Sequence, residues 1–233
     1  MTNPLQLYVH PTDMPAANER FLIPGAVGPL EALLDFTKAA PGAGLANPPV
    51  AVVCHPHPLH GGTLTNKVAH TVAKAFAELG VTSLRFNFRG VGQSQGAFDQ
   101  GRGEVDDLLA AVDWLRARYP TAPLWLAGFS FGAYVALSGQ TQALADRLLL
   151  VAPPVAMFDF PAEGGVNIPW MVVQGSSDEI VDPTEVSAWV RQQANAPEYV
   201  WMDDAGHFFH GRLVELKHQI HSSWGDGFSG GDQ

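Results

Sequence analysis

Gly128-Phe129-Ser130-Phe131-Gly132 decides the reading of this chain, because a G-x-S-x-G pentapeptide between a strand and a helix is a turn that lifts a serine hydroxyl above a sheet. Ala122-Pro123-Leu124-Trp125-Leu126-Ala127 ahead of it is short and apolar, as a buried strand is. Ala133-Tyr134-Val135-Ala136-Leu137 behind it runs on without Gly or Pro, as a helix does. So sharp a turn strains the serine backbone and brings strand and helix together, so the flanking positions must lack bulk. Gly128 and Gly132 meet that need.

A serine hydroxyl attacks poorly unless a base takes its proton and an acid holds that base in the right tautomer. Working downstream, Pro169-Trp170-Met171-Val172-Val173-Gln174-Gly175 reads as a strand running into Ser176-Ser177-Asp178, which delivers Asp178 to a strand's carboxyl end. Asp182 competes, but Asp182-Pro183-Thr184-Glu185 has the pattern of a helix cap, with proline at the first helical position. The base is expected at His207, where Tyr199-Val200-Trp201-Met202 gives way to Asp203-Asp204-Ala205-Gly206 and the glycine lets the loop bend toward the serine. His210 is its rival, expected instead to begin the last helix.

The chain resembles the α/β-hydrolase superfamily, and within it small lidless esterase-like members with an H-P-H-P-x-x-G-G segment. Besides the serine turn, the resemblance rests on Cys54-His55-Pro56-His57-Pro58-Leu59-His60-Gly61-Gly62 after the apolar Pro49–Val53, and on Asn87-Phe88-Arg89-Gly90-Val91-Gly92-Gln93-Ser94. The latter is similar to the superfamily's D-x-R-G-x-G-x-S turn, with Asn87 where aspartate is commonest. The resemblance spans about residues 20–224 and implies a Ser130, Asp178, His207 triad in that order. It also implies an oxyanion hole built from the Phe131 amide and one from the loop after Cys54. Pro56 and Pro58 have no N–H to give, so the second donor is assigned to His57, with Leu59 as the alternative.

The chain has 233 residues, enough for one core, and a single α/β domain over 1–233 is expected, with weakly structured ends at 1–18 and 225–233. Segments near 19–24 and 28–36 read as an opening hairpin. Strands near 48–54, 81–88, 122–128, 147–152, 169–174 and 198–203 alternate with helices, which predicts a mostly parallel, doubly wound α/β sheet. Helical spacing is clear in Val68, Val72, Ala75, Phe76 and Leu79, and in Val105, Leu108, Leu109, Val112 and Leu115. Trp125, Trp170 and Trp201 fall within strands and are read as core. The gap where related folds insert a cap, Pro153 to Ile168, is 16 residues and has no room for one. Pro153, Pro154, Val155, Met157 and Phe158 are expected to wall an open site.

Hydrophobic residues make up 46% and no apolar run is long enough to span a bilayer, so membrane association is not expected. A net charge of −10 opposes nucleic acid and anionic surfaces. One cysteine and a start without an export signal favour the cytoplasm. Cys54, ending an apolar strand, reads as a buried small hydrophobe. His55, His57 and His60 invite a zinc reading, but the prolines between them hold the backbone extended and scatter neighbouring side chains, so no metal and no cofactor is expected. The leading expectation is a serine hydrolase of small esters or thioesters. An amidase or peptidase on the same residues, or a non-catalytic binding protein on the same fold, are the alternatives; oligomeric state is open.

Overall fold

The strand segments are apolar on both faces because helices cover both. In the computed structural model, which describes residue 15 and residues 19–37, 47–161 and 165–225, β1 (Arg20–Ile23) and β2 (Leu30–Asp35) form the antiparallel hairpin. There follow β3 (Val50–Cys54), α1 (Lys67–Glu78), β4 (Thr82–Phe86), α2 (Arg102–Arg118), β5 (Leu124–Phe129) and α3 (Phe131–Gly139). The chain closes with β6 (Arg147–Val151), β7 (Trp170–Gly175), α4 (Pro183–Gln192), β8 (Glu198–Met202) and α5 (Leu213–Gly225). The eight strands hydrogen-bond in the order β1-β2-β4-β3-β5-β6-β7-β8. All pairings from β4 onward are parallel.

Alternation along each strand feeds two cores. Val52, Leu126, Leu150 and Val172 point toward α2, α3 and α4, where Leu108, Val135 and Trp189 meet them. Val53, Ala127, Leu149 and Val173 point the other way, toward Val72 and Phe76 of α1 and Leu216 and Ile220 of α5. This is the doubly wound arrangement expected. Both predicted helical faces are found, with Leu79 capping α1 rather than lying within it.

The strand order places the chemistry. From β3 the chain steps outward to β4, then returns past β3 to β5, so β3 and β5 flank the point where the winding reverses. Loops leaving their carboxyl ends part there and open a crevice. Cys54 sits beside Gly128 in the register, so the loop after β3 starts next to the serine turn.

Two expectations are corrected. Trp201 is 43% exposed, unlike the buried Trp125 and Trp170. It lies on β8, beyond which no strand pairs among the described residues, and its indole N–H is held by Asp203. The last helix starts at Leu213, so His210 lies in the turn before it. The predicted weak ends fall almost wholly outside the described residues. Among the described residues no helix is long and apolar enough to cross a membrane.

Candidate active site

Ser130 stands between β5 and α3 at φ +54° and ψ −122°, a conformation that costs energy for any residue with a Cβ. Its neighbours show why both glycines are needed. A Cβ at Gly128 would lie 2.0 Å from the Gly132 carbonyl oxygen, and one at Gly132 would lie 2.4 Å from that of Cys54. The Ser130 N–H is held by the Val151 carbonyl at 2.9 Å, which fixes the turn against β6.

The loops after β7 and β8 bring the two remaining predicted residues to this serine. The Ser130 hydroxyl lies 3.1 Å from His207 Nε2, and His207 Nδ1 lies 2.8 Å from Asp178 Oδ2. The Asp178 carboxylate only accepts, so Nδ1 carries the proton and Nε2 is left to accept from the hydroxyl. Asp178 Oδ2 also accepts from Gln174 Nε2 at 3.0 Å, and Oδ1 accepts from the amides of Ile180 and Val181 at 2.9 and 2.8 Å. Burial works to raise the Asp178 pKa, but the His207 ring and the two amides outweigh it and hold the carboxyl below its ordinary value.

These two loops are stitched together, which sets the angle of the imidazole. The Ser177 amide donates to the Ala205 carbonyl at 3.0 Å, the Asp204 amide to Ser176 Oγ at 2.8 Å, and the His207 amide to Glu179 Oε2 at 3.0 Å. Asp182 instead caps α4, its Oδ1 accepting from the Thr184 amide at 2.8 Å, as its sequence pattern predicts. His210 is exposed and is not drawn to the serine.

Sequence reading missed two supports, Gln174 and Glu179. A signal existed for the first: Gln174 is the one polar side chain in the otherwise apolar run of β7. Nothing marked Glu179, whose role depends on a loop that folds against it from 28 residues away.

The loop after β3 is held by its histidines. His55 is buried, and its Nε2 accepts from the Phe88 amide at 3.1 Å, so Nδ1 bears the proton and donates to the Pro56 carbonyl at 2.6 Å. Burial lowers its pKa to about 4 despite that hydrogen bond. His57 Nδ1 accepts from the Leu59 amide at 3.2 Å, at the head of a short 3-10 turn, Pro58–His60. The His57 ring packs on Phe131 and Phe98 with centroids 5.1 and 4.8 Å away, and burial lowers its pKa, aided by His60. The Leu59 amide is therefore occupied, whereas those of His57 and Phe131 meet no acceptor among the described residues. Both His55 nitrogens and one of His57 are engaged in this way, the His57 and His60 rings stack with centroids 4.4 Å apart, and no cluster suited to a metal is found among the described residues. Cys54 is buried, which pushes its thiol pKa up.

The turn after β4 resolves the departure at Asn87. Its Nδ2 donates to the buried Glu31 at 2.7 Å while its Oδ1 accepts from the Leu64 amide at 2.7 Å. An asparagine can serve both partners; an aspartate would face another carboxylate. Nearby, Arg89 pairs with the fully buried Asp107 at 2.8 Å, tying this turn to α2. Of the residues expected to wall the site, Phe158 packs against Phe131 at 5.3 Å and stacks on Tyr134 at 4.9 Å, while Met157 is 56% exposed.

A mostly parallel sheet wound on both faces, with a serine on a strained strand-to-helix turn, defines the α/β-hydrolase fold. Comparison with known proteins agrees. Residues 48–162 match a family model described as serine aminopeptidase, S33. A lidless α/β serine hydrolase of Xanthomonas campestris is 41% identical, covers 94% of this chain and 99% of its own, and superposes with a TM-score of 0.85. An α/β serine hydrolase homologue of Coxiella burnetii is 43% identical over 91% of this chain and 99% of its own, with a TM-score of 0.83. An uncharacterised protein of Rickettsia prowazekii is 39% identical over 184 residues, 75% of this chain and 77% of its own. The chain belongs to the α/β serine hydrolase family.

Proposed function

We propose that this protein hydrolyses small esters or thioesters through an acyl-enzyme on Ser130. The observation that carries the proposal is the relay from Ser130 Oγ through His207 to Asp178, each link within hydrogen-bond distance. His207 Nε2 takes the hydroxyl proton as Ser130 attacks the acyl carbon, and the Asp178 carboxylate steadies the resulting imidazolium. The carbonyl oxygen gains negative charge and is met by the amides of Phe131 and His57, both without an acceptor among the described residues. His207 then gives its proton to the departing alcohol or thiol. Water, deprotonated by the same ring, attacks the ester on Ser130 and releases the acid.

The test is p-nitrophenyl acetate hydrolysis by wild type and Ser130→Ala, alongside labelling with a fluorophosphonate. The variant is expected to lose at least about 10³-fold in kcat and all labelling while keeping its melting temperature within a few degrees. Undiminished hydrolysis by purified, folded Ser130→Ala overturns the proposal. The serine aminopeptidase description of the matching family model favours a second reading, cleavage of amides. Amino-acid p-nitroanilides distinguish the two: turnover of anilides at a kcat/KM comparable to that of esters supports the peptidase reading.

A further inference from the structure

The chain has four lysines, and three of them, Lys67, Lys74 and Lys217, line one groove of about 310 Å³ between α1 and α5. Among the described residues His70, Thr71, Leu213 and Val214 complete the lining, and no aspartate or glutamate takes part. In a molecule with a net charge of −10 this is a local reversal of sign, and a concave surface concentrates such a field.

Lys217 is paired with Glu78 at 2.8 Å, but among the described residues neither Lys67 nor Lys74 has an acidic partner. Seven residues apart, they stand about two turns from each other on the same face of α1, with His70 and Thr71 between them. Lys67 occupies the first position of the helix, where the helix dipole disfavours a positive charge, so local structure does not account for it. Across the groove, Val214 is 80% exposed in the first turn of α5 beside Leu213.

We propose that the α1–α5 groove binds an amphiphilic phosphate monoester, its head between Lys67 and Lys74 and its apolar chain against Leu213 and Val214. The charges match: the site offers two ammonium groups without an acidic partner among the described residues, and a phosphate monoester carries roughly −1.5 to −2 at neutral pH. The apolar half separates this ligand from inorganic phosphate, because each buried methylene adds several-fold to affinity. Both helices begin at the sheet edge that carries Ser130, so the ligand binds on the flank of the candidate active site, without any use of Ser130, His207 or Asp178.

The experiment is calorimetric titration of the full chain with hexyl phosphate at low salt, repeated with inorganic phosphate and with anionic phospholipid vesicles. Saturable one-to-one binding of monomeric hexyl phosphate is expected, at least about tenfold tighter than inorganic phosphate and weakened by added salt. The Lys67→Gln/Lys74→Gln variant should lose at least about tenfold in affinity, and Val214→Ser a smaller factor that is absent for inorganic phosphate. These surface changes leave the helix intact, which circular dichroism checks. Equal affinity in the lysine variant, no saturable binding of hexyl phosphate, or binding to vesicles alone overturns the proposal.

Discussion

Asn87 is the residue whose replacement is most informative, because its two functional atoms face partners of opposite demand. Asn87→Asp would set a carboxylate about where Nδ2 now donates to Glu31 at 2.7 Å, in a site where Glu31 is 2% exposed. The variant is expected to lose about 3 kcal/mol at pH 7, measured by urea unfolding. Two adjacent carboxyls share a proton that the unfolded chain releases, so the loss should shrink as pH falls toward 5. Adding Glu31→Gln should restore most of it at pH 7; failure to do so would mean that the carboxylate pair is not the cause. His55 makes a second case. Its pKa of about 4 when folded, against about 6.5 unfolded, means that the unfolded chain binds the extra proton between those values. Stability therefore falls as pH drops through that window, by roughly 3 kcal/mol from this residue. His55→Gln should start less stable at pH 7 and show a flatter profile from pH 6.5 to 4.

What was legible at this scale follows from sequence distance. Ser130, Asp178 and His207 announce themselves because each ends or follows an apolar strand and breaks into a turn, a local signal. Glu31 with Asn87, 56 residues apart, and Glu179 with His207 carry no local signal, since each pairing exists only once the sheet has assembled.

Among the elements, the crossing of β5, α3 and the loop after β3 is the tightest. A methyl group at Gly132 would meet the carbonyl oxygens of Cys54 and His55 at 2.4 and 2.5 Å, and backbone on both sides has nowhere to go. At Gly139, the last residue of the same helix, the obstacle is the tip of Leu108 at 2.8 Å, which can rotate. Gly132→Ala is expected to cost about 3 kcal/mol and lower the melting temperature by about 10 °C, and Gly139→Ala well under half of that. Similar melts for the two would contradict this account of the crossing. Element boundaries were readable wherever a cap or a glycine marked them, as at Asp182-Pro183. They were misread where the marker was absent: the start of α5 has no such sign, and the edge position of β8, which leaves Trp201 in solvent, depends on strand order alone.

At the scale of the whole molecule, the loops that carry the site also rim it with exposed apolar side chains. Four of the large exposed apolar side chains lie within two residues of its groups: Leu59 beyond His57, Met157 before Phe158, Ile180 beyond Asp178 and Phe208 beyond His207, exposed by 68, 56, 43 and 37%. The described part of the link from β6 to β7 contributes turns and extended chain, with no helix over the serine. On the proposed mechanism, an acyl group on Ser130 would stand in reach of any small nucleophile in solution, and the oily margin would gather alcohols ahead of water. With n-butanol added to an ester assay, butyl ester should form alongside free acid, in a share above the alcohol's mole fraction, as gas chromatography would read. Free acid alone would mean that the margin does not select its acceptor. On that mechanism the protein is also a transferase in waiting, and the composition of the surrounding medium decides which of the two reactions it performs.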